Sequence, residues 1–86
     1  LKHYASPSFW AHFDTLPVEI QQLARENYEL LVANPRHPSL HLKRVGRYWS
    51  VRVGLHYRAL GDPAEDGILW TWIGFHHEYD RLRRRR

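Results

Sequence analysis

The sequence predicts an α+β domain in which two N-terminal helices pack on one face of a small antiparallel sheet. Three observations carry this. Apolar residues recur at helical spacing only before Pro35, they alternate or run together as in strands from Tyr48 onward, and Gly, Pro and Asp residues punctuate the second half at hairpin distances. Helices grouped before strands place the helical layer on one side of the sheet.

The elements follow in order. Lys2 to Ala5 reads as a short first strand. Ser6-Pro7-Ser8 is a helix start, with a Ser cap ahead of Phe9, Trp10 and Phe13, whose three-to-four spacing makes one apolar face; this helix closes near Leu16. Pro17 takes a first helical position with Glu19 in the first turn. The second helix lines up Ile20, Leu23, Ala24, Tyr28 and Leu31, turns Gln21, Gln22, Arg25, Glu26 and Glu29 to water, and stops at Asn34-Pro35. So short a connection predicts an antiparallel helix pair.

Past Pro38 the period changes. Tyr48 to Val53 alternates, with Trp49, Val51 and Val53 on one face and Tyr48, Ser50 and Arg52 on the other. Gly54-Leu55-His56 reads as a hairpin loop, Tyr57 to Leu60 as the return strand, and Asp62 to Gly67 as a turn. Ile68 to Ile73 is apolar on both faces apart from Thr71, which predicts a central strand. The expected sheet is thus a three-strand meander plus the short N-terminal strand, and its face bearing Tyr48, Arg52 and Arg58 is expected to be open. One domain spans residues 1–82, and the Arg run at 83–86 is a basic tail, too charged to pack.

Eighty-six residues bound the chain to one modest core, to which four Trp and five Tyr contribute much of the burial. The absence of cysteine excludes disulfides and thiolate metal sites and fits a cytoplasmic protein. No stretch reads as a signal peptide and no apolar run approaches the ~18 residues of a membrane span; the chain opens on Leu1 rather than Met, as after trimming. A formal net charge of +4 favours nucleic acid or an acidic partner.

That charge is concentrated. From Leu30 to Gly61 the chain carries Arg36, Lys43, Arg44, Arg47, Arg52 and Arg58, with His37, His41 and His56, and no Asp or Glu. Such a block is either a solvated sheet face or a surface that meets polyanion. Arg forks match phosphate oxygens, and the interleaved Tyr48, Trp49 and Tyr57 are either base-stacking platforms or core. His76-His77, just past the last strand, are either exposed polar residues or acid–base groups held where a rigid strand opens into a loop. His56 sits in the hairpin loop within reach of a ligand; Glu78 and Asp80 are surface charges or orienting partners. Adjacent histidines without cysteine do not match zinc-ligand spacing, there is no Gly-rich phosphate loop, and neither a metal nor a cofactor is expected.

The stretch from Leu40 to Gly46, the strands Trp49-Ser50-Val51-Arg52-Val53 and Tyr57-Arg58-Ala59-Leu60, and the ending Ile73-Gly74-Phe75-His76-His77-Glu78-Tyr79 together resemble the RelE/ParE superfamily of bacterial type II toxins. The Leu16-Pro17 helix start and the Asn34-Pro35 stop match as well, so the likeness spans essentially the whole domain. The resemblance implies a small α+β toxin neutralised by an acidic, partly disordered antitoxin. RelE-like members are ribosome-dependent endoribonucleases that cut mRNA by attack of a 2′-OH; ParE-like members inhibit DNA gyrase without chemistry. It assigns His76, with His77 as its rival, to proton transfer, Arg58 and Tyr79 to the catalytic group, and Lys43, Arg44, Arg47 and Arg52 to the scissile phosphate. Gly54 is a departure, falling where some of the nucleases carry a catalytic Arg, and it leaves open a degenerate member that only binds its antitoxin.

Overall fold

The computed structural model describes residues 1–78 and 81. The elements are β1 (Lys2–Ala5), α1 (Pro7–Phe13), α2 (Val18–Ala33), a 3-10 turn (Pro38–Leu40), β2 (Lys43–Val45), β3 (Tyr48–Val53), β4 (Tyr57–Ala64) and β5 (Gly67–Phe75). The strands form one five-stranded sheet ordered β1-β5-β4-β3-β2. β1 runs parallel to β5 and the other neighbours are antiparallel. The sheet is therefore mixed and larger than a meander plus one strand. β2 was not anticipated because Lys43-Arg44-Val45 is too short and too charged to show a period of its own.

Local chemistry sets the helix boundaries. Phe9 N–H donates to Ser6 Oγ at 3.2 Å, capping α1, and Pro7 occupies a position that needs no donor. α1 ends at Phe13, a turn earlier than expected, because Asp14 to Leu16 fold into a turn in which Thr15 and Leu16 bond back to His12 and Phe13. Pro17 is the cap of α2 rather than its first helical residue. The Gln21 amide donates to the Phe13 and Leu16 carbonyls at 3.1 and 3.3 Å, tying the end of α1 to the first turn of α2. Each helix docks on the sheet, α1 along β5 and α2 over β3.

One face of the sheet holds the core: Val51, Val53, Ala59, Ile68, Trp70 and Ile73 meet Phe13, Leu31 and Leu40. Ile68, Trp70 and Ile73 cannot share a face of a regular strand. They do so because Leu60 pairs with Trp72 while the next residue, Gly61, pairs with Trp70, so that Thr71 is bulged out. The bulge explains why the strand reads as apolar on both faces: it sends Trp70 into the core and Trp72 to the far side. β4 and β5 also run longer than expected, through Asp62-Pro63-Ala64, which leaves only Glu65-Asp66 as the turn.

Candidate functional site

Strand alternation builds the site on the face away from the helices. Arg52 pairs with Arg58, and Arg58 with Gly74, so two guanidinium-bearing residues lie directly opposite each other across the sheet centre. Like charges so placed work against stability. A parallel row runs Lys43–Ser50–Leu60–Trp72 on the same face. Gly74 leaves the space beside Arg58 to the Trp72 indole, since a Cβ there would stand 2.6 Å from Trp72 Cζ2. Trp72 also meets His12 of α1 edge-on at 6.2 Å.

This face is not open. Ser50 is fully buried and Leu60 nearly so, while Tyr48, Arg52, Arg58 and Trp72 are half-buried. Arg52 Nε is buried and, among the described residues, has no hydrogen-bond partner. A desolvated guanidinium N–H without an acceptor is costly.

The second component lies at the end of the sheet where the β3–β4 loop meets the end of β5. His76 N–H donates to the His56 carbonyl at 2.8 Å, holding the two segments together. The His56 and His76 rings are 6.0 Å apart and the His76 and His77 rings 4.7 Å apart. Phe75 is the platform between them: it stacks on His56 at 6.1 Å and on His77 at 5.5 Å. His76 is half-buried, whereas His56, His77 and Phe75 are exposed. His76 follows Gly74, the partner of Arg58, by two residues and opens a helical turn over residues 76–78 where a loop was expected. Among the described residues no three His, Cys, Asp or Glu side chains are placed to hold a metal ion.

The site residues anticipated from sequence are thus partly brought together. Arg52, Arg58 and Lys43 share the face, and His76 and His77 lie at its end. Arg44 does not join them. As the neighbour of Lys43 it points to the opposite face, with its guanidinium over the Trp49 ring at 5.2 Å. Arg47 stands in the β2–β3 turn over Tyr48 at 5.5 Å. Tyr79 and the 83–86 tail lie outside the described residues. His56 belongs with His76 and His77 more closely than its position in a loop suggested. The clue was available: β5 and the β3–β4 loop must reach the same end of the sheet if β4 pairs with both neighbours.

Gly54 has φ +66°, and a Cβ there would stand 2.6 Å from Leu23 Cδ2. A side chain at this position would therefore be strained by the left-handed backbone and would have to displace the end of Leu23.

On the helix side a cleft of about 620 Å³ opens between α1, α2 and β1, lined mainly by Tyr4, Phe9, Trp10, Phe13 and Tyr28. At its base Trp70 Nε1–H donates to His3 Nδ1 at 3.1 Å, which requires an unprotonated Nδ1. Burial, and then the nearby N-terminal charge, hold His3 below its ordinary pKa of 6.5. No helix among the described residues is long and apolar enough to cross a membrane.

Neither a protein-family model nor a curated protein sequence matches the chain. Solved structures do. The fold is that of the RelE toxins. A chain of the RelB-RelE antitoxin-toxin complex from Methanococcus jannaschii superposes with a TM-score of 0.71 at 16% identity, covering 92% of this chain and 96% of that one. The isolated RelE toxin of E. coli gives 0.61 at 9% identity, with 95% of each chain covered. A copper-bound mutant toxin from Helicobacter pylori gives 0.60 at 17% identity, covering 91% and 97%. In this RelE-like frame the arginine row and the strand-end histidines lie on the sheet side and the aromatic cleft on the helix side.

Proposed function

We propose that the protein is the toxin of a type II toxin–antitoxin pair and acts in the cytoplasm as a ribosome-associated mRNA endoribonuclease. The RelE-like fold supports the toxin reading, and the pairing of Arg52 with Arg58 across the sheet, with the histidines grouped at the end of β5, supports the chemistry. Arg52 and Arg58, with Lys43 beside them, hold the scissile phosphate and stabilise the charge that accumulates on its oxygens in the pentacovalent state. His76 removes the proton of the adjacent 2′-OH, the new 2′-O–P bond forms, and the bond to the 5′-oxygen breaks. The departing oxygen takes a proton from His77 or His56, leaving a 2′,3′-cyclic phosphate. This sequence of steps requires no metal. Arg47 on its turn extends the cationic surface, and Tyr79 stacks a base or assists proton transfer. The partner that restrains the toxin is an acidic, partly disordered antitoxin that folds as it binds.

Mapping mRNA ends after a brief pulse of expression tests the reading. Wild type should give new cleavage sites in translated frames, and His76→Ala should remove them with the fold retained. Cleavage that survives a combined His76→Ala and His77→Ala change defeats the assignment of the proton-transfer group. A second reading, a ParE-like gyrase inhibitor that needs no chemistry, is favoured by Gly54, which deprives the site of a cation. It would arrest growth with message intact and gyrase–DNA breaks accumulating.

A further inference from the structure

β2 is the outermost strand of the sheet, and among the described residues nothing pairs with its far edge. The β2–β3 turn has two residues, Gly46 and Arg47, so Val45 and Tyr48 are a hydrogen-bonded pair. The alternation of an antiparallel ladder then makes Lys43–Ser50 hydrogen-bonded too, and turns the N–H and C=O of Arg44 outward. These two backbone groups face away from the molecule at the centre of the edge. The side chains around them are basic: Lys43 toward the arginine-bearing face, Arg44 toward the helix side, and Arg47 at the turn, all exposed. The Arg44 guanidinium is positioned by the Trp49 ring and by a 3.4 Å hydrogen bond to the Arg47 carbonyl. A second copy of the chain is a poor occupant, because antiparallel self-pairing sets cations against cations along this short strand.

We propose that this edge takes an acidic, extended segment of the antitoxin as a sixth strand. The choice of partner rests on the toxin reading above; the choice of edge rests on the ladder and the charge. Backbone bonds to Arg44 N–H and C=O give the affinity, and carboxylates opposite Arg44 on one face and Lys43 on the other give the selectivity. The edge thus asks for acids at adjacent positions of the incoming strand, one on each side of the sheet.

The test uses the full chain, labelled with nitrogen-15, and two capped synthetic peptides, one in which pairs of adjacent Glu are separated by single Val residues and one in which pairs of adjacent Lys are, so that each presents its charges on both sides of a strand. Amide exchange is followed at low salt. The Glu peptide should slow exchange of the Arg44 N–H by about tenfold or more, and leave the Lys43 and Val45 amides, already bonded to β3, unchanged. The Lys peptide should have no effect. Arg44→Ala should weaken binding, and Arg44→Pro should weaken it by about a further tenfold, because proline removes only an outward N–H and is tolerated on an edge strand. Retained cross-strand contacts between Val45 and Tyr48 show that the Pro variant is folded. Unchanged exchange at Arg44, equal binding by the Ala and Pro variants, or protection at β1 instead would overturn the proposal. Growth arrest and mRNA cleavage are read separately, so a failure at the edge and a failure of the toxin reading cannot be confused.

Discussion

Gly54 connects the fold to the chemistry, and replacing it by alanine measures how firmly. At φ +66° an L-residue meets a backbone penalty of about 1–2 kcal/mol. The added Cβ also stands 2.6 Å from Leu23 Cδ2, which forces that half-buried side chain off its rotamer at roughly 0.5–1.5 kcal/mol. Together these give about 1.5–3.5 kcal/mol. In a domain of this size each kcal/mol is worth some 4–8 °C, so the melting temperature should fall by roughly 6–28 °C. Thermal unfolding followed by circular dichroism reads this directly. Leu23→Ala destabilises by itself, but it removes the obstructing atoms, so the double variant should lose less than the sum of the singles. A Gly54→Ala protein that melts within about 2 °C of wild type would refute the left-handed loop and the contact with Leu23. It would also make a larger side chain acceptable at this position.

Two further predictions rest on single side chains. His3 has a folded-state pKa below its unfolded value, so the unfolded chain takes up the proton first as pH falls. The stability tied to neutral His3 is therefore present above pH 6.5 and is lost as pH drops from there toward the lower folded value; denaturant titrations should show a steeper loss over that window in wild type than in His3→Asn. Arg52→Gln keeps most of the side-chain stem but removes a charge from beside Arg58, so stability should hold or rise by up to about 1 kcal/mol while mRNA cleavage falls by ~100-fold or more. A stable variant with undiminished cleavage would remove Arg52 from the site.

Much of the fold could be read from the chain because its signals are local. Ser6-Pro7, the apolar stripe of α2, Asn34-Pro35 and the alternation from Tyr48 to Val53 each act through neighbouring residues, and each element formed close to its expected place. The misses are non-local. β2 exists because β3 offers an edge to pair with, not because Lys43-Arg44-Val45 prefers to be extended. β1 pairs with β5 in parallel, and nothing in Lys2 to Ala5 encodes a partner more than sixty residues away. The bulge at Thr71 is a property of the β4–β5 register, so the sequence of β5 alone left the destinations of Trp70 and Trp72 undecided. The candidate site divides in the same way. Arg52 and Arg58 follow from alternation, whereas the grouping of His56 with His76 and the separation of Arg44 from Lys43 required the sheet order.

The placement of cations on two faces and an edge bears on how an antitoxin could both bind and inhibit. Neighbouring strands are about 4.8 Å apart, so a sixth strand on β2 would lie roughly 10 Å from β3, which carries Arg52, and roughly 14 Å from β4, which carries Arg58. Its backbone would not reach Arg52 or Arg58. A carboxylate side chain facing Lys43 would come closest, since Lys43 is on the same face as Arg52. Capture at the edge and blockade of the arginine row are then separate events along one acidic chain: the strand anchors it, and the segment beyond must cross the sheet to occupy Arg52 and Arg58. With one part anchored, the other acts at a high effective concentration, so even a weak carboxylate contact at the arginine row would compete with mRNA. Cutting the chain between the two parts would abolish that advantage without touching either contact.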